Sequence, residues 1–359
     1  MRPTFRNFAA IFQESESQNM KKKHYLIAIA VCLLAAVGVF YYYLMSGFST
    51  SEDTQYVYID DNDNLDSVSN KLLPIASEPA ITAFKMLARH SGYAEKIRSG
   101  RYAIKPGENA ISVFRNLKNG HQEPVMLTIP ESRTMDRLAG SLGRKLMVDS
   151  TTIAILLQDN DFCQRYGCDT ATIACLFVPN TYEVYWNTSI ENLMERMKKE
   201  HQHFWNDERT KKASAIGLTP NEVCTLASII DEETANNAEK PMIAGMYLNR
   251  IKQGMPLQAD PTVKFALKNF ALKRIYHDML TFDSPYNTYR NAGLPPGPIK
   301  IASIAGIDAV LNRVSHNYLY MCAKEDFSGT HNFAVAIRSI FVMPLATRRL
   351  SMSEALSKM

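Results

Sequence analysis

Three consecutive acidic residues, Asp231, Glu232 and Glu233, are the strongest candidates for acid–base chemistry in this sequence. They follow apolar residues that recur at helical spacing, namely Val223, Leu226, Ala227 and Ile230. At about 100° per residue, Glu233 falls at the edge of this apolar stripe, whereas Glu232 points away from it and Asp231 lies off the other flank. Burial raises the pKa of a carboxyl group, so Glu233 is predicted to be a general acid that works near neutral pH. The alternative is an acidic helix end that is solvated or paired with Lys240 or Arg250.

The element that must position the three acids is a helix with an explicit start. Thr219 stands at the predicted N-cap, Pro220 at the first helical position, and Glu222 completes a capping box. A second helix is predicted over 241–252 and ends before Gly254. Its apolar residues share one face, so we expect it to pack back on the first helix.

Four separated segments resemble the endolytic murein transglycosylases, which form the MltG or YceG-like family. The segments are LASIIDEET (226–234), YLNRIKQGMPLQADPTV (247–263), SPYNTYRNAGLPPGPI (284–299) and GTHNF (329–333). They stand in the family's order, and the resemblance extends from about Tyr56 to Phe333. The family has its catalytic acid at the second Glu of the pattern Ala-Ser-Ile-(Ile/Val)-Glu-x-Glu. The resemblance therefore implies that Glu233 is catalytic, and Asp231 occupies the position of the first Glu.

Polar residues in the remaining segments are candidates for substrate binding. The amide of Gln258 can donate and accept hydrogen bonds, which suits the N-acetyl and hydroxyl groups of sugars. Asp260 precedes Pro261 and is first predicted to be the N-cap of a helix over 262–267, with substrate binding as its second role. The other candidates lie in loops or beside a strand, where binding residues are common, and they are Asn287, Thr288, Tyr289, His331 and Asn332. A lone histidine after a strand is more often structural, so both roles stay open for His331.

The resemblance implies an enzyme that cuts the glycan strands of peptidoglycan from within and terminates nascent strands. Glu233 would protonate the bond between N-acetylmuramic acid and N-acetylglucosamine, and would then take a proton from the muramic C6 hydroxyl, which closes a 1,6-anhydro ring. The substrate's acetamido group would stabilise the cationic intermediate, and no metal or cofactor is required. Two alternatives are a muramidase that hydrolyses the same bond with a second carboxylate, and a non-catalytic peptidoglycan-binding scaffold. The family also suggests cell-wall synthases as partners.

A membrane anchor is predicted near the N-terminus. Residues 25–45 carry no charge and are long enough for a helix to span a bilayer core. The lysines at 21–23 precede this span, so the positive-inside rule places residues 1–24 in the cytoplasm and the rest outside, as a single-pass type II protein of the inner membrane. A cleaved signal peptide is the alternative, but the apolar run is long and ends in tyrosines where small residues mark cleavage. Met20 before three lysines is also a candidate start, which would leave residues 1–19 untranslated.

The rest of the chain is predicted to have an α+β fold in successive parts. A polar linker, 46–54, leads to a small domain, 55–125, that resembles the LysM-like domain of the family. The resemblance implies glycan binding, and a spacer without a ligand is the alternative. The predicted elements of this domain are strands at 55–59 and 100–104 and helices at 64–72 and 110–117. A mixed α/β catalytic domain follows over 126–340, and residues 341–359 form an atypical tail that departs from the family pattern.

Composition excludes several function classes. With 359 residues and 46% hydrophobic composition, the chain can bury one large core or two moderate ones. The 40 basic and 36 acidic residues give a net charge of +4, which is too small to indicate nucleic-acid binding, and no nucleotide-binding or zinc motif is present. Among the cysteines, Cys163 clusters with Cys168 and Cys175. A disulfide from Cys163 to either neighbour is one interpretation for an exported segment, and free thiols are the other.

Overall fold

The computed structural model describes residues 6–324 and 329–341, and it divides into two compact units, Met1–Pro124 and Val125–Met359. Both units combine helices with short antiparallel strands, which confirms the α+β class at that level. Residues 342–359 of the predicted tail lie outside the described residues.

The first unit begins with one long helix, α1 (Arg6–Met45). Its Met20–Met45 part has a mean hydropathy of 2.3 in the most apolar window, and none of that window is buried against the rest of the chain. Length and composition therefore suit a membrane span, as the uncharged sequence predicts.

A small α+β layer follows α1 within the first unit. Strands β1 (Gln55–Ile59) and β2 (Gly100–Ile104) pair antiparallel, as the strand patterns predict. The helices are α2 (Leu65–Leu72), α3 (Glu78–His90) and α4 (Ala110–Asn119), with a 3₁₀ helix over Tyr93–Glu95. Helix α4 ends at Gly120, whose φ of 74° lies in the left-handed region that favours glycine. The aromatic ring of Phe84 packs edge-on against those of Tyr93 and Phe114 in the core.

The second unit is mostly helical. Its strands form two antiparallel pairs, β3 (Val125–Thr128) with β4 (Thr181–Val184) and β5 (Tyr320–Ala323) with β6 (His331–Ala334). The helices, in chain order, are α5 (Met135–Gly143), α6 (Ser150–Gln158), α7 (Asn160–Gln164), a 3₁₀ helix (Ile173–Leu176), α8 (Ile190–Phe204), α9 (Asp207–Ala215), α10 (Pro220–Glu233), α11 (Lys240–Lys252), α12 (Asp260–Ala266), α13 (His277–Leu280), α14 (Ile304–Leu311) and α15 (Ile337–Phe341). Helices, rather than an extended sheet, therefore position the candidate site.

Helix α10 is the centre of the second unit. Its start is as predicted, because the Thr219 hydroxyl accepts from the Glu222 backbone N–H and the Glu222 carboxylate accepts from the Thr219 N–H. Every residue from Val223 to Ile230 is buried. The apolar spacing predicts only one buried stripe on α10. This prediction is wrong in extent, because α11, α12 and α14 all pack on α10.

Among the described residues, the three clustered cysteines, Cys163, Cys168 and Cys175, are free thiols. Cys163 is buried with its Sγ facing the Leu157 carbonyl, and it forms neither of the two disulfides considered above. Cys175 lies against Cys224 of α10 instead, and this contact and burial raise the pKa of the Cys175 thiol. The interpretation as free thiols therefore fits this structure.

Candidate active site

Glu233 is the last residue of α10, and its carboxyl group is enclosed although the residue as a whole is half-buried. The hydroxyl of Tyr247 on α11 donates a hydrogen bond of 2.8 Å to Glu233 Oε1. Burial raises the pKa of Glu233 to about 7, and the negative charge of Asp260 adds to that rise, whereas the Tyr247 hydrogen bond opposes it. A carboxyl group with this pKa can donate a proton and later accept one near neutral pH.

Asp231 is also buried, contrary to its predicted place off the flank of the stripe. Its side chain is 2% exposed and forms an ion pair of 2.7 Å with Lys240, the first residue of α11. It also accepts hydrogen bonds of 2.7 Å from the backbone N–H and from the hydroxyl of Ser303, the N-cap of α14. Asp231 therefore joins α10 to the starts of two other helices, where a negative charge is favourable.

Glu232 is paired rather than solvated. It receives two contacts from the guanidinium group of Arg133, at 3.0 Å to Oε1 and 2.7 Å to Oε2. Lys300 lies 3.8 Å from Glu232 Oε1 and pairs more closely, at 3.0 Å, with Glu131. The carboxylate thus faces away from Glu233, as helix geometry predicts, but it is held in an ion-pair network.

The alternative of an acidic helix end paired with Lys240 or Arg250 is confirmed in part, for Asp231 and Lys240, but not for Glu233. Lys240 pairs with Asp231, and the Arg250 guanidinium donates to the backbone carbonyls of Leu319 and Leu257.

Asp260 is not the N-cap of the following helix, so this prediction is wrong. Helix α12 begins at Asp260 itself, and Ala259 stands at the N-cap position without a side-chain hydrogen bond. The Asp260 carboxylate instead accepts a hydrogen bond of 2.6 Å from the hydroxyl of Tyr289. Burial raises the pKa of Asp260, against the opposing effects of Tyr289 and Lys264. The Asp260 side chain therefore bonds to the 284–299 loop rather than acting as the N-cap of α12.

Gln258 lies two residues before Asp260, the partner of Tyr289. Its backbone has a φ of 52°, and its amide oxygen accepts a hydrogen bond of 3.3 Å from Arg250. Together with Tyr289 it lines a cleft of about 480 Å³, to which His277, Leu280, Thr281 and Arg290 also contribute. Gln258 and Tyr289 therefore line an open cleft, where a sugar can reach them.

Asn287 and Thr288 are buried, with 0% and 1% exposure, and bond within the protein. The Asn287 amide donates to the carbonyls of Leu280 and Phe282, and the Thr288 hydroxyl accepts from the Ala259 backbone N–H. Direct contact of these two side chains with substrate does not fit this burial. Their hydrogen bonds hold the loop that carries Tyr289, so their role in this structure is structural.

His331 and Asn332 lie on strand β6. The His331 ring nitrogen Nδ1 is 2.9 Å from the Glu239 carboxylate, and the His331 backbone N–H donates to the same carboxylate. Asn332 pairs with Cys322 across the two strands. His331 therefore ties β6 to the segment between α10 and α11, and among the described residues it has no contact with Glu233.

Sequence reasoning missed the residue that touches the predicted catalytic acid. Tyr247 is the first residue of the second motif segment, but its spacing from Glu233 indicates a contact only if α10 and α11 are known to pack as a hairpin. The buried face predicted for α11 contained that signal.

Residues 57–339 match the family model described as the YceG-like family. The chain belongs to the YceG-like family. Among curated relatives, the endolytic murein transglycosylase of Streptococcus pneumoniae is 27% identical over 335 residues, which covers 82% of this chain and 60% of that protein. The endolytic murein transglycosylase of Bacillus subtilis is 28% identical over 261 residues, covering 68% of this chain and 71% of that protein. The chain thus spans less than two thirds of the length of the pneumococcal relative.

A solved structure supports the same YceG-like fold. The crystal structure of a YceG-like protein from Listeria monocytogenes matches with a TM-score of 0.52 and 25% identity, and covers 80% of this chain and 98% of the Listeria chain. The match confirms the resemblance on which the four motif segments were assigned.

Proposed function

We propose that this YceG-like chain is a membrane-anchored endolytic transglycosylase that cuts the bond between N-acetylmuramic acid and N-acetylglucosamine in peptidoglycan strands. The observation that carries the proposal is the enclosed carboxyl group of Glu233, whose pKa is raised to about 7 and whose Oε1 accepts a hydrogen bond from Tyr247. Asp260, whose charge contributes to that rise, is bonded to Tyr289, which lines the cleft. The names of the streptococcal and Bacillus relatives support the substrate and the reaction.

In the proposed mechanism Glu233 acts first as an acid and then as a base. In its neutral form it gives a proton to the bridging oxygen, so that the glycosidic bond breaks. The resulting carboxylate then takes the proton from the muramic C6 hydroxyl. At the same time the oxygen of that hydroxyl bonds to C1 and closes the 1,6-anhydro ring. The proton that leaves in the first step is regained in the second, so a single carboxyl group with a pKa near the working pH is sufficient.

A hydrolytic muramidase is the second candidate, and Asp260 is the observation that favours it. Its carboxylate is close enough to Glu233 to raise the pKa of that residue, and paired carboxyl groups are typical of glycosidases. The Tyr289 hydrogen bond of 2.6 Å and partial burial leave Asp260 poorly placed to activate water freely.

The products distinguish the two reactions. We expect the purified protein to release fragments with 1,6-anhydro-muramic ends from uncrosslinked glycan, because the C6 hydroxyl replaces water as the nucleophile. Mass spectrometry checks this, since an anhydro end lacks one water relative to a reducing end. Reducing ends alone would contradict the transglycosylase and favour hydrolysis assisted by Asp260, and uncut strands would favour the non-catalytic scaffold.

We also propose that α1 anchors the protein with both units outside the cytoplasm, and that the LysM-like layer binds glycan. In right-side-out membrane vesicles, full-length Glu233→Gln protein should capture added glycan strands, and inside-out vesicles should not, because lysines 21–23 hold the N-terminus inside. Deleting residues 55–124 should lower the amount captured. Equal capture by both kinds of vesicle would contradict the orientation, and unchanged capture after the deletion would make this layer a spacer.

A further inference from the structure

Tyr247 is the nearest polar partner of Glu233, and its position is fixed from two sides. The residue is 2% exposed and belongs to the same apolar core as α10. It follows Lys240 by seven residues, which is two helical turns, so both side chains lie on the face of α11 that meets α10. The Asp231–Lys240 ion pair lies at one end of the contact between α10 and α11, and the Tyr247–Glu233 hydrogen bond lies at the other.

The two oxygens of the Glu233 carboxyl group have different surroundings. Oε1 accepts the hydrogen bond of 2.8 Å from Tyr247, whereas Oε2 has no hydrogen-bond partner among the described residues. The other charged groups that face Glu233 act only through their fields: Asp260 and Lys264 from α12, and Glu232 from α10 itself. Among the described residues, Oε2 is therefore the oxygen of Glu233 that no protein donor occupies.

We propose that Tyr247 is a positioning residue that holds Oε1 of Glu233 and leaves Oε2 as the oxygen that carries the catalytic proton. This inference rests on the proposed function for its kinetic consequences, but not for the hydrogen bond itself. Oε2 gives its proton to the bridging oxygen while the glycosidic bond breaks, and the same atom takes the proton of the C6 hydroxyl while that oxygen bonds to C1. The Tyr247 hydrogen bond persists throughout and is strongest when Glu233 is a carboxylate.

The Tyr247 hydrogen bond should affect the pH dependence of kcat in a definite direction. A donor to the carboxylate stabilises its charged form, so Tyr247 lowers the pKa of Glu233 relative to what burial alone would produce. The first step needs protonated Glu233, so kcat should fall as the pH rises through about 7. Without the Tyr247 hydroxyl, Glu233 stays protonated to higher pH, so kcat should begin to fall at a higher pH.

The test is Tyr247→Phe in the full-length protein, which removes one hydroxyl and keeps the ring packing. Hydrogen bonds to buried, charged groups are among the stronger ones in proteins, so we expect kcat to fall roughly 10- to 100-fold with KM little changed. We also expect the pKa of Glu233 to rise by about 1–2 units. The pKa is measured by infrared titration of the protonated carboxyl band, with Glu233→Gln identifying the signal. The upper limb of the kcat profile should shift by the same amount.

Tyr182→Phe is the matched control. Tyr182 is buried, and its hydroxyl donates a hydrogen bond of 2.9 Å to the Val178 carbonyl in a different apolar cluster. This variant loses a comparable hydroxyl and should leave the pKa of Glu233 and the pH profile unchanged.

Several outcomes separate the proposal from its alternatives. A pKa of Glu233 that stays unchanged or falls in Tyr247→Phe, with kcat within twofold of the parent, would overturn it. A raised pKa in a protein that cuts no glycan even as the parent would uphold the positioning and reject the proposed function. Should Tyr247→Phe fail to fold, replacing Tyr247 by a ring-fluorinated tyrosine, a stronger donor, should lower the pKa of Glu233; no shift would overturn the proposal.

Discussion

Replacing Glu233 by Gln should reduce the initial rate of glycan cutting by roughly 10²–10⁴-fold or more. The amide keeps the size of the side chain and can still accept from Tyr247, but it can neither donate nor accept the catalytic proton. One residue serves both proton transfers in the proposed mechanism, so the loss should reach the upper end of that range. The measurement is the initial rate on one glycan preparation, with circular dichroism to show that the variant folds.

Glu232→Gln is the matched control, because it makes the same chemical change one residue away. Its carboxylate pairs with Arg133 at the other side of α10 and is partly exposed, so the rate should stay within a fewfold of the parent. Near-normal cutting by Glu233→Gln, together with a large loss in Glu232→Gln, would reject the assignment of Glu233 and place the chemistry in the Arg133 network.

Lys240→Met should lower the free energy of unfolding by about 3–5 kcal/mol, the largest stability effect that we expect from a single substitution here. The substitution leaves the Asp231 carboxylate, 2% exposed, without its cation, although both hydrogen bonds from Ser303 remain. Denaturant unfolding of the purified protein, followed by circular dichroism, measures the change. Lys212→Met is the comparison, because its ion pair with Glu208 is exposed and its loss should change the free energy of unfolding little.

The double variant Lys240→Met with Asp231→Asn tests the cause of this loss. If an unpaired buried charge is responsible, removing that charge should restore part of the stability, so the double variant should unfold less readily than the sum of the two single variants implies. Additive losses would show that the two residues act separately, and the role of Asp231 in joining three helices would then be wrong.

The sequence alone was enough to predict the helices and strands that depend on interactions between neighbouring residues. The capping box of α10 involves residues three positions apart, and both of its hydrogen bonds form as predicted. The start of α11, the strands of the first unit and the apolar Met20–Met45 helix likewise follow from neighbouring residues. The YceG-like motifs identified Glu233 as the candidate acid, and the match over residues 57–339 confirms the family.

Asp260 shows where local patterns fail. An aspartate before a proline has the local features of an N-cap, and nothing nearby in the chain indicates otherwise. The Tyr289 hydroxyl reaches its carboxylate from a loop 29 residues further along, and this contact competes successfully with the helix start. Asn287 and Thr288 were predicted to contact substrate for a similar reason, since polarity in a loop does not reveal whether the loop folds inward.

The sequence by itself determined the helix that ends in three acids and the direction in which Glu233 leaves it, because helical periodicity fixes the angles between consecutive side chains. Tertiary structure alone decided the partner of each acid: Lys240 and Ser303 for Asp231, Arg133 for Glu232, and Tyr247 for Glu233. These partners come from α11, α14 and the segment before α5, and their approach depends on the packing of whole helices. The resulting differences in burial and hydrogen bonding give three adjacent carboxyl groups three different environments, and the environment of Glu233 raises its pKa to about 7.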